Sequence, residues 1–354
     1  MRILLVTVRS DFGGGPKHVD QIISGLSSEF EFFIAAPKGA PFGDLWMSSN
    51  MVNGFIEIPF RKFSVISLYR LLQFVRRNRI SVIHSHGNGA GVYSRFLKMI
   101  NPSLRVIHTF HGIAEGCMGS VKTLVFRTLS FFSDWSVFVS SGEQQIGVNQ
   151  GFVREGKHSV IYNGINPPAG DRSDRSLRKC PFCVLTLSRF DYQKNMHLAY
   201  EIAKRMMVYD FIKFIWVGDG PDYQELHSLS KEEKVLNIQF VGFSEQPQRY
   251  LSASDLYLST SRFEGLPYGL IEATSFGLPI VATNVVGNNE VAINGRNAVL
   301  FNGIDEAISA ILSFYYQKQK YDEAAMQSFD VFDRNFRLSS MLSSIRSLYL
   351  NFAG

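Results

Sequence analysis

The chain has 354 residues, of which 45% are hydrophobic and 19% are charged, and its formal net charge is +5. This length exceeds the usual size of one core and predicts two domains, while the composition excludes a disordered chain. No run approaches the roughly 18 consecutive apolar residues that a membrane-spanning helix needs, and the apolar start before Arg9 is too short for a signal-peptide core. These features predict a soluble, cytoplasmic protein.

The positive charge is concentrated in the first half. Residues 1–165 contain 17 Lys and Arg against 10 Asp and Glu, a balance of +7, whereas residues 166–354 contain 19 against 21, a balance of −2. This asymmetry predicts that the first half meets an anionic surface. Nucleic acid is disfavoured because the sequence contains no recognisable binding motif, which leaves membrane headgroups.

Apolar, β-branched segments recur along the chain with helical patterns between them, as is typical of parallel sheets covered on both faces. The predicted strands of the first half are 2–8, 32–37, 54–60, 82–87, 106–112, 136–141 and 159–165. Those of the second half are 183–189, 214–220, 238–243, 256–261, 279–284 and 298–301. Because the pattern starts twice, we predict an α/β protein with two doubly wound, Rossmann-like domains that face each other across a cleft.

The first predicted strand is followed by SDFGGGPKHV, a glycine-rich turn that leads into a helix. Such a turn lets backbone N–H groups approach a phosphate, and a flexible turn without a ligand is the alternative. The dinucleotide fingerprint is not matched, because His18 follows where a third glycine is required and the second strand lacks a ribose-binding acid.

Four histidines stand at the ends of the fourth and fifth predicted strands, in HSHG and HTFHG. Alternation places His84 and His86 on one face of the strand, as in a metal-binding pair. Acidic residues are scarce nearby, however, so we favour the alternative that these histidines are buried and hydrogen-bonded. His111 precedes Gly112, where the chain leaves the sheet. It is therefore the histidine best placed to contact a sugar or a phosphate, and a packed loop residue is the alternative.

A polar, charged, proline-containing segment at 166–181 separates the two series of strands and predicts an interdomain linker. We place the domains at 1–165 and 181–330, the linker at 166–180, and a helical segment that packs near the domain junction at 331–354. Cys180 and Cys183 form CPFC at the end of the linker. A strand entry is favoured there, because neither a redox pair nor a zinc site has its usual context.

Two basic residues follow the first strand of the second domain, in LSRFDYQKN. Arg189 stands at the strand end and Lys194 five residues later, near the start of the next helix. Two cations of different reach suit a pyrophosphate, and a solvated pair of basic residues is the alternative. Gly218, in VGDGP, adds a glycine at the next strand end.

Two glutamates flank a predicted helix start in FEGLPYGLIEA, Glu264 on the loop and Glu272 on the helix. Pro267 is predicted as the first helical residue, where its fixed φ is tolerated. The backbone N–H groups between the glutamates, among them those of Leu270 and Ile271, are predicted to favour a phosphate. Carboxylates that bind hydroxyl groups beside such a helix end predict a ligand that carries both sugar and phosphate.

In this order the motifs resemble those of the retaining glycosyltransferases with the two-domain GT-B fold, the family that includes sucrose, glycogen and lipopolysaccharide-type synthases. The resemblance covers nearly the whole chain and is most specific at the two glutamates separated by seven residues. It implies that Arg189 and Lys194 hold the donor diphosphate, together with the backbone at Gly218, Leu270 and Ile271. It further implies that Glu272 accepts from the ribose hydroxyls and that Glu264 contacts the transferred sugar.

The same resemblance implies roles in the first domain. His111 would lie near the reacting sugar, while Gly14 and Gly15 would give room to the donor phosphates and the acceptor. Asn163 and Gly164 match the NG that the family places before its linker.

The implied reaction is the retaining transfer of a sugar from a nucleotide-diphosphate donor, with uridine favoured as the nucleoside. The sequence contains no Asp-x-Asp tripeptide for a divalent metal, so we expect the cations and helix ends to replace it, with no metal or other cofactor. One departure from the family pattern precedes Glu290, where two glycines are usual and this chain has Val286-Gly287.

The implied acceptor is a glycan or a polyprenol-linked glycan of bacterial surface polysaccharide synthesis, bound by the basic first domain. The segments 67–79 and 121–132 combine apolar residues at helical spacing with basic residues. Each predicts either a core face with a solvated basic edge or a peripheral contact with anionic lipid at the inner face of the plasma membrane.

Other functions remain open. A nucleotide-sugar epimerase of the same fold is disfavoured by the Glu264 and Glu272 pair, and a non-catalytic nucleotide-sugar-binding subunit is disfavoured by the intact Arg189 and Lys194. A dehydrogenase is the weakest alternative, and absence of NAD binding would exclude it.

Overall fold

A computed structural model of the chain describes residues 1–113, 120–168 and 181–352. It divides into two compact units: unit 1 comprises Met1–Asn163 with Ser339–Gly354, and unit 2 comprises Gly164–Leu338. Most of the predicted linker, at 169–180 and including Cys180, lies outside the described residues. The predicted domain end at residue 330 falls inside the helix Lys318–Asn335. The helix continues past this point because Val331 and Phe332 extend its buried apolar face.

Unit 1 is built on a parallel sheet with the strand order β3-β2-β1-β4-β5-β6-β7 across its described part. Its strands are β1 (Arg2–Thr7), β2 (Glu31–Ala36), β3 (Val52–Glu57), β4 (Val82–His86), β5 (Arg105–Thr109), β6 (Trp135–Phe138) and β7 (His158–Val160). The helices are α1 (Gly14–Leu26), α2 (Phe42–Ser48), α3 (Val65–Arg77), α4 (Asn88–Ile100), α5 (Ser120–Ser130) and α6 (Ser141–Asn149). The strand order reverses between β1 and β4, so the loops that follow these strands part at one point of the carboxyl edge.

Unit 2 repeats this plan with the parallel order β10-β9-β8-β11-β12-β13. Its strands are β8 (Phe182–Leu187), β9 (Ile212–Val217), β10 (Ile238–Gly242), β11 (Leu256–Ser259), β12 (Ile280–Thr283) and β13 (Ala298–Phe301). The helices are α7 (Met196–Arg205), α8 (Tyr223–Glu232), α9 (Gln248–Ala253), α10 (Tyr268–Ser275), α11 (Asn288–Val291), α12 (Ile304–Tyr316) and α13 (Lys318–Asn335). Here the order reverses between β8 and β11.

Each predicted strand segment is matched by one of these strands, because central strands of a covered parallel sheet are apolar on both faces. Leu4, Val6 and Ile83 belong to the core of unit 1, and Val184, Phe214 and Leu258 to that of unit 2. Within the described ranges, no helix combines the length and apolar character that crossing a membrane requires.

The last helix, α14 (Leu338–Leu350), contributes to the core of unit 1. The Tyr349 side chain is fully buried, and its hydroxyl lies 2.7 Å from Nδ1 of His84 on β4. Arg346 forms an ion pair with Glu29 at 2.6 Å on the same helix face. The end of the chain therefore completes a polar contact in the middle of the first sheet.

Replacing Tyr349 with Phe should lower the free energy of unfolding by about 1–3 kcal/mol, because a buried ring nitrogen of His84 loses its partner. Denaturant unfolding of the full chain measures this change. Tyr69→Phe is the matched control, since the Tyr69 side chain is 63% exposed and its hydroxyl can bond water. Equal stability of the two variants would contradict the assignment.

Candidate active site

Three of the predicted site residues of unit 2 lie at the point where its strand order reverses. Arg189 and Lys194 are on the loop between β8 and α7, and Glu264 is on the loop between β11 and α10. Carboxyl ends of adjacent parallel strands at a reversal point form the usual ligand crevice of an open α/β sheet. The predicted cations and the first glutamate are thus on neighbouring loops.

Glu264 is the centre of a hydrogen-bonded network and is only 5% exposed. Its Oε1 accepts from Lys194 Nζ at 2.5 Å and from Ser261 Oγ at 2.6 Å, while Oε2 accepts from Gln193 Nε2 at 3.2 Å. A carboxylate withdrawn from water requires such compensation. Lys194 and Glu264, 70 residues apart, are therefore directly paired.

Gln193 connects this pair to Arg189. Arg189 Nη2 lies 3.3 Å from Oε1 of Gln193 and 2.8 Å from Oδ2 of Asp191. The Gln193 side-chain amide therefore accepts a hydrogen bond from the Arg189 guanidinium through its oxygen and donates one to Glu264 through its nitrogen. Gln193 lies within LSRFDYQKN, but sequence reasoning did not single it out, since an uncharged side chain between two cations carries no obvious chemical signal.

The two loops are also held together by hydrogen bonds to backbone carbonyls. Thr260 Oγ1 donates to the Lys194 carbonyl at 3.0 Å, and the Arg262 N–H donates to the Gln193 carbonyl at 2.8 Å. Asn195 precedes α7 with φ of +53°, a left-handed conformation that asparagine adopts more readily than most residues. These contacts fix the position of Lys194 relative to the β11 loop.

The start of α10 differs from the prediction. Pro267 has an extended backbone, with ψ of 121°, and is the N-cap, so the helix begins at Tyr268. The carbonyl of Pro267 accepts from the N–H groups of Leu270 and Ile271, both at 3.2 Å. These two amides, predicted to be free for a phosphate, are used within the chain, and both side chains are buried.

Glu272 lies on the second turn of α10 and is partly buried. Burial, and after it the negative charge of Glu272, raises the pKa of Tyr257 and of Tyr268. Glu264 acts on Tyr257 in the same direction, and the Tyr257 hydroxyl donates to the Leu187 carbonyl at 2.8 Å. The two predicted glutamates thus share Tyr257 of β11 as a neighbour, and the hydroxyl of Tyr257 lies at the end of β8.

Two glycines allow close backbone approach around the network. Gly218 has φ of +139°, and a Cβ there would lie 1.8 Å from the Ser188 carbonyl oxygen, directly before Arg189. Gly287 has φ of +85°, and a Cβ there would lie 2.5 Å from the Gly265 carbonyl oxygen and 2.9 Å from Glu264 Cβ. The glycine kept in Val286-Gly287 is therefore the one that the approach to Glu264 requires.

The predicted residues of unit 1 also lie near one another. A Cβ on Gly15 would be 3.9 Å from Cδ2 of His111, so Gly15 faces this ring. Gly14 is exposed and is the first residue of α1. His111 Nε2 lies 3.3 Å from Nδ1 of His86, and His18 packs edge-on against His111 with ring centroids 5.0 Å apart. We call His18, His86 and His111 the histidine cluster.

The sequence favoured buried, hydrogen-bonded histidines over a metal-binding pair at His84 and His86, and the structure confirms this for His84. The two ring nitrogens of His84 contact the hydroxyls of Tyr349 and Thr109, both at 2.7 Å, and His84 is therefore a buried, hydrogen-bonded histidine. The histidine cluster, in contrast, has ring nitrogens within 4.8 Å of one another, a geometry that could hold a metal ion. Nε2 of His18 and of His86 have no hydrogen-bond partner among the described residues.

Burial keeps the histidine cluster neutral. Burial lowers the pKa of His18 to about 4, although the hydrogen bond to Asn163 acts the other way. Burial also lowers the pKa of His86 and of His111 well below 6.5, and there the neighbouring histidines act in the same direction. His18 Nδ1 donates to Oδ1 of Asn163 at 2.9 Å. A neutral imidazole has one donor and one acceptor nitrogen. The cluster can therefore exchange hydrogen bonds with hydroxyl groups at neutral pH.

A buried carboxylate that sequence reasoning missed positions the loop after β5. Glu143 accepts from the Gly112 N–H at 2.5 Å through Oε1 and from the Val139 N–H at 3.2 Å through Oε2. The side chain of Ser140 in turn accepts from the Glu143 N–H. The Ser-x-x-Glu spacing of a helix N-terminus was the available signal. Glu143 thereby helps to orient His111 through the adjacent Gly112.

Acidification should destabilise the protein. Burial also lowers the pKa of His84 and His108 well below 6.5, so these residues and the histidine cluster bind protons in the unfolded state before the folded state does. Their stabilising contribution is complete above the unfolded pKa of about 6.5 and declines as pH falls below it; that of His18 is lost as pH falls through its folded pKa of about 4. Each adds a slope of up to about 1.4 kcal/mol per pH unit.

Unfolding by urea at a series of pH values between about 7.5 and 5 measures this slope. His108→Asn should reduce this slope by up to about 1.4 kcal/mol per pH unit, because it removes one buried imidazole whose pKa is lowered. A stability independent of pH over this interval would exclude the buried, neutral histidines.

Comparisons with known proteins agree with this architecture. The family model described as glycosyltransferase family 4 matches residues 12–168, and the model described as glycosyl transferases group 1 matches residues 171–327. The structure of HepE from Anabaena, in complex with UDP and glucose, superposes with a TM-score of 0.86 at 19% identity, covering 99% of this chain and 100% of that chain. The predicted fold class, two Rossmann-like domains of the GT-B type, is confirmed.

Two relatives from Escherichia coli have related activities in their names. UDP-Gal:α-D-GlcNAc-diphosphoundecaprenol α-1,3-galactosyltransferase is 28% identical over 275 residues, which are 70% of this chain and 69% of the relative. The O-antigen biosynthesis glycosyltransferase WbnH is 23% identical over 353 residues, 98% of each chain. Since the two family models together account for most of its length, the chain belongs to the GT-B glycosyltransferase family that its motifs resemble.

Proposed function

We propose that this chain transfers a sugar, with retention of configuration, from a UDP-sugar to a lipid-linked glycan in the synthesis of a bacterial surface polysaccharide. The observation that carries the proposal is the network in which Lys194 contacts Glu264 and Gln193 connects Glu264 to Arg189. It combines two cations for a diphosphate with a carboxylate for a sugar hydroxyl. The names of the E. coli galactosyltransferase and of the HepE complex support uridine as the nucleoside and a polyprenyl diphosphate as the carrier.

The two cations have the reach that a departing diphosphate requires. Arg189 is 30% exposed and Lys194 is 20% exposed, so both are accessible from solvent while their acidic partners hold them in place. A donor diphosphate would share Arg189 with Asp191 and Lys194 with Glu264. Its negative charge grows as the sugar leaves, and preorganised cations favour that charge more strongly than water does.

Glu264 is proposed to bind the transferred sugar and not to act as a nucleophile. Its two oxygens already accept from Lys194, Ser261 and Gln193, which draws electron density away from an attack on carbon. Retention is then explained by attack of the acceptor on the face from which the diphosphate leaves. The leaving phosphate oxygen takes the proton of the acceptor hydroxyl.

The reaction is proposed to need no divalent metal. The sequence has no Asp-x-Asp tripeptide, and the charged groups nearest to the β8 end include the cations Arg189 and Lys194. These side chains supply the charge that a metal supplies in other transferases. The histidine cluster belongs to unit 1, where His111 and Gly15 are proposed to contact the acceptor and the reacting sugar.

Release of nucleotide from a panel of UDP-, GDP- and ADP-sugars, with polyprenyl diphosphate-linked acceptors and with or without a chelator, tests the proposal. We expect turnover with a UDP-sugar that survives chelation. Turnover abolished by the chelator and restored by a divalent ion would refute the metal-free mechanism. Formation of an epimer without an acceptor would indicate an epimerase, and nucleotide binding without turnover would indicate a binding subunit.

Arg189→Ala should lower kcat by roughly two to three orders of magnitude, because one electrostatic contact to the transition state is worth about 3–4 kcal/mol. Steady-state kinetics with the preferred donor measures the change. Arg205→Ala is the control, since Arg205 is a 52% exposed arginine of unit 2 that pairs with Asp305 on the surface. Equal kinetics of the two variants would remove Arg189 from the site.

A further inference from the structure

An unusual surface follows β3 in unit 1. The loop and first turns of α3 expose large apolar side chains: Phe60 (45%), Phe63 (46%), Val65 (72%), Ile66 (67%) and Tyr69 (63%). The basic residues Arg61, Lys62 and Arg70 lie among them and are exposed as well. We call these eight residues the β3–α3 surface. A soluble protein seldom exposes so many large apolar side chains in so short a segment unless they bind something.

The sequence pattern offered residues 67–79 as a contact with anionic lipid, but the exposed apolar side chains lie elsewhere in the structure. Leu71, Leu72 and Val75 are buried in the core of unit 1, so the stripe at helical spacing is a core face. The exposed apolar residues are instead on the outer side of α3, one turn earlier, and in the preceding loop. On a solvated helix these positions would be polar.

The backbone of the β3–α3 surface is held firmly. The Ser64 N–H donates to the Tyr93 hydroxyl at 2.8 Å, and that hydroxyl donates to the Lys62 carbonyl at 3.1 Å. Ser64 Oγ accepts from the Ser67 N–H and caps α3, while the Phe63 ring lies 4.9 Å from the Tyr93 ring. The exposed side chains are therefore presented by an ordered scaffold.

The charge of this region identifies the partner. Residues 60–79 contain six Lys and Arg and no Asp or Glu. A second copy of the chain docked on the same surface would place like charges opposite each other, since a two-fold interface is self-complementary. A soluble glycan offers no apolar surface for Val65 and Ile66. A bilayer with anionic headgroups matches both the exposed apolar side chains and the positive charge. The apolar side chains enter the acyl boundary while the basic ones remain among the phosphates.

The surface is also on the appropriate edge of the sheet. Parallel strands end at one edge, and the loop after β3 is therefore on the same edge as the glycine turn after β1 and His111 after β5. The Arg61 N–H donates to the Val8 carbonyl at 3.0 Å, which joins the β3–α3 surface to the start of the glycine-turn loop. A lipid carrier lying in the membrane would present its diphosphate and glycan at headgroup level beside this edge.

We propose that the β3–α3 surface docks unit 1 on an anionic membrane, with Val65, Ile66 and Phe63 inserted at the interface and Lys62 and Arg70 on lipid phosphates. The docking rests on the proposed function in one respect, because a lipid-linked acceptor is what makes it useful. Membrane binding itself can be measured without any catalysis.

The test is co-sedimentation of the full chain with vesicles of phosphatidylcholine containing about a third phosphatidylglycerol, at about 0.1 M salt. The parent chain should bind, and Val65→Gln/Ile66→Gln should bind at least about tenfold more weakly. The matched control is Val208→Gln/Leu236→Gln, which changes equally exposed apolar residues of unit 2 (78% and 84%) and should bind like the parent. Equal binding of all three would overturn the proposal.

Charge is tested in the same way. Lys62→Gln/Arg70→Gln should weaken vesicle binding by roughly ten- to thirtyfold, because each basic residue near the surface adds about fivefold. Lys213→Gln/Lys231→Gln removes the same charge from exposed positions of unit 2 and should change binding by less than about twofold. Binding that ignores the phosphatidylglycerol content would overturn the electrostatic part.

Two further readouts separate this proposal from its rivals and from the proposed function. If the parent chain is a dimer by light scattering and Val65→Gln/Ile66→Gln is a monomer, the surface is an interface between copies and the proposal fails. Vesicle binding without transfer to any lipid-linked acceptor would refute the proposed function alone. Equal transfer by parent and variant to a vesicle-embedded acceptor would refute the docking alone, provided that both also act equally on a water-soluble acceptor.

Discussion

The withdrawal of the Glu264 carboxylate from water is the constraint on which the organisation of unit 2 depends. A buried carboxylate needs several donors, and here they come from two loops that are far apart in sequence. Lys194 therefore points at Glu264 and not into bulk solvent. Gln193 bonds to both Glu264 and Arg189, so the position of Arg189 also depends on the buried carboxylate. The cations that would meet a diphosphate are held in place by the same interaction that buries the acid.

Unit 1 also buries polar side chains, and several of them are uncharged histidines. Its sheet buries a series of histidines, and their pKa values fall because the interior disfavours the imidazolium form. The neutral rings bond to neighbouring side chains through at least one nitrogen, as His84 does with Tyr349 and Thr109. The candidate residues of the two units thus differ in chemistry: paired charges in unit 2 and neutral histidines in unit 1.

The membrane-docking proposal shows why a helical pattern alone does not locate a surface. Leu71 and Val75 follow the spacing of an amphipathic helix, and their burial agrees with the more common use of such a stripe, as a core face. Val65 and Ile66 have no periodicity of their own, and they matter because the Ser64 cap and the Tyr93 contacts present them outward. Exposure is a property of the packed unit and not of the spacing.

The sequence by itself determined the two parallel sheets, the loops that carry the candidate residues, and the family, because strand hydrophobicity and motif spacing depend on neighbours along the chain. Only the tertiary structure decided that Gln193 bonds Glu264 across 71 residues, that His18 bonds Asn163 across 145, and that the Leu270 and Ile271 amides are occupied. Such contacts follow from strand order and from the conformation at helix starts. A local pattern carries no information about which distant loop will be adjacent.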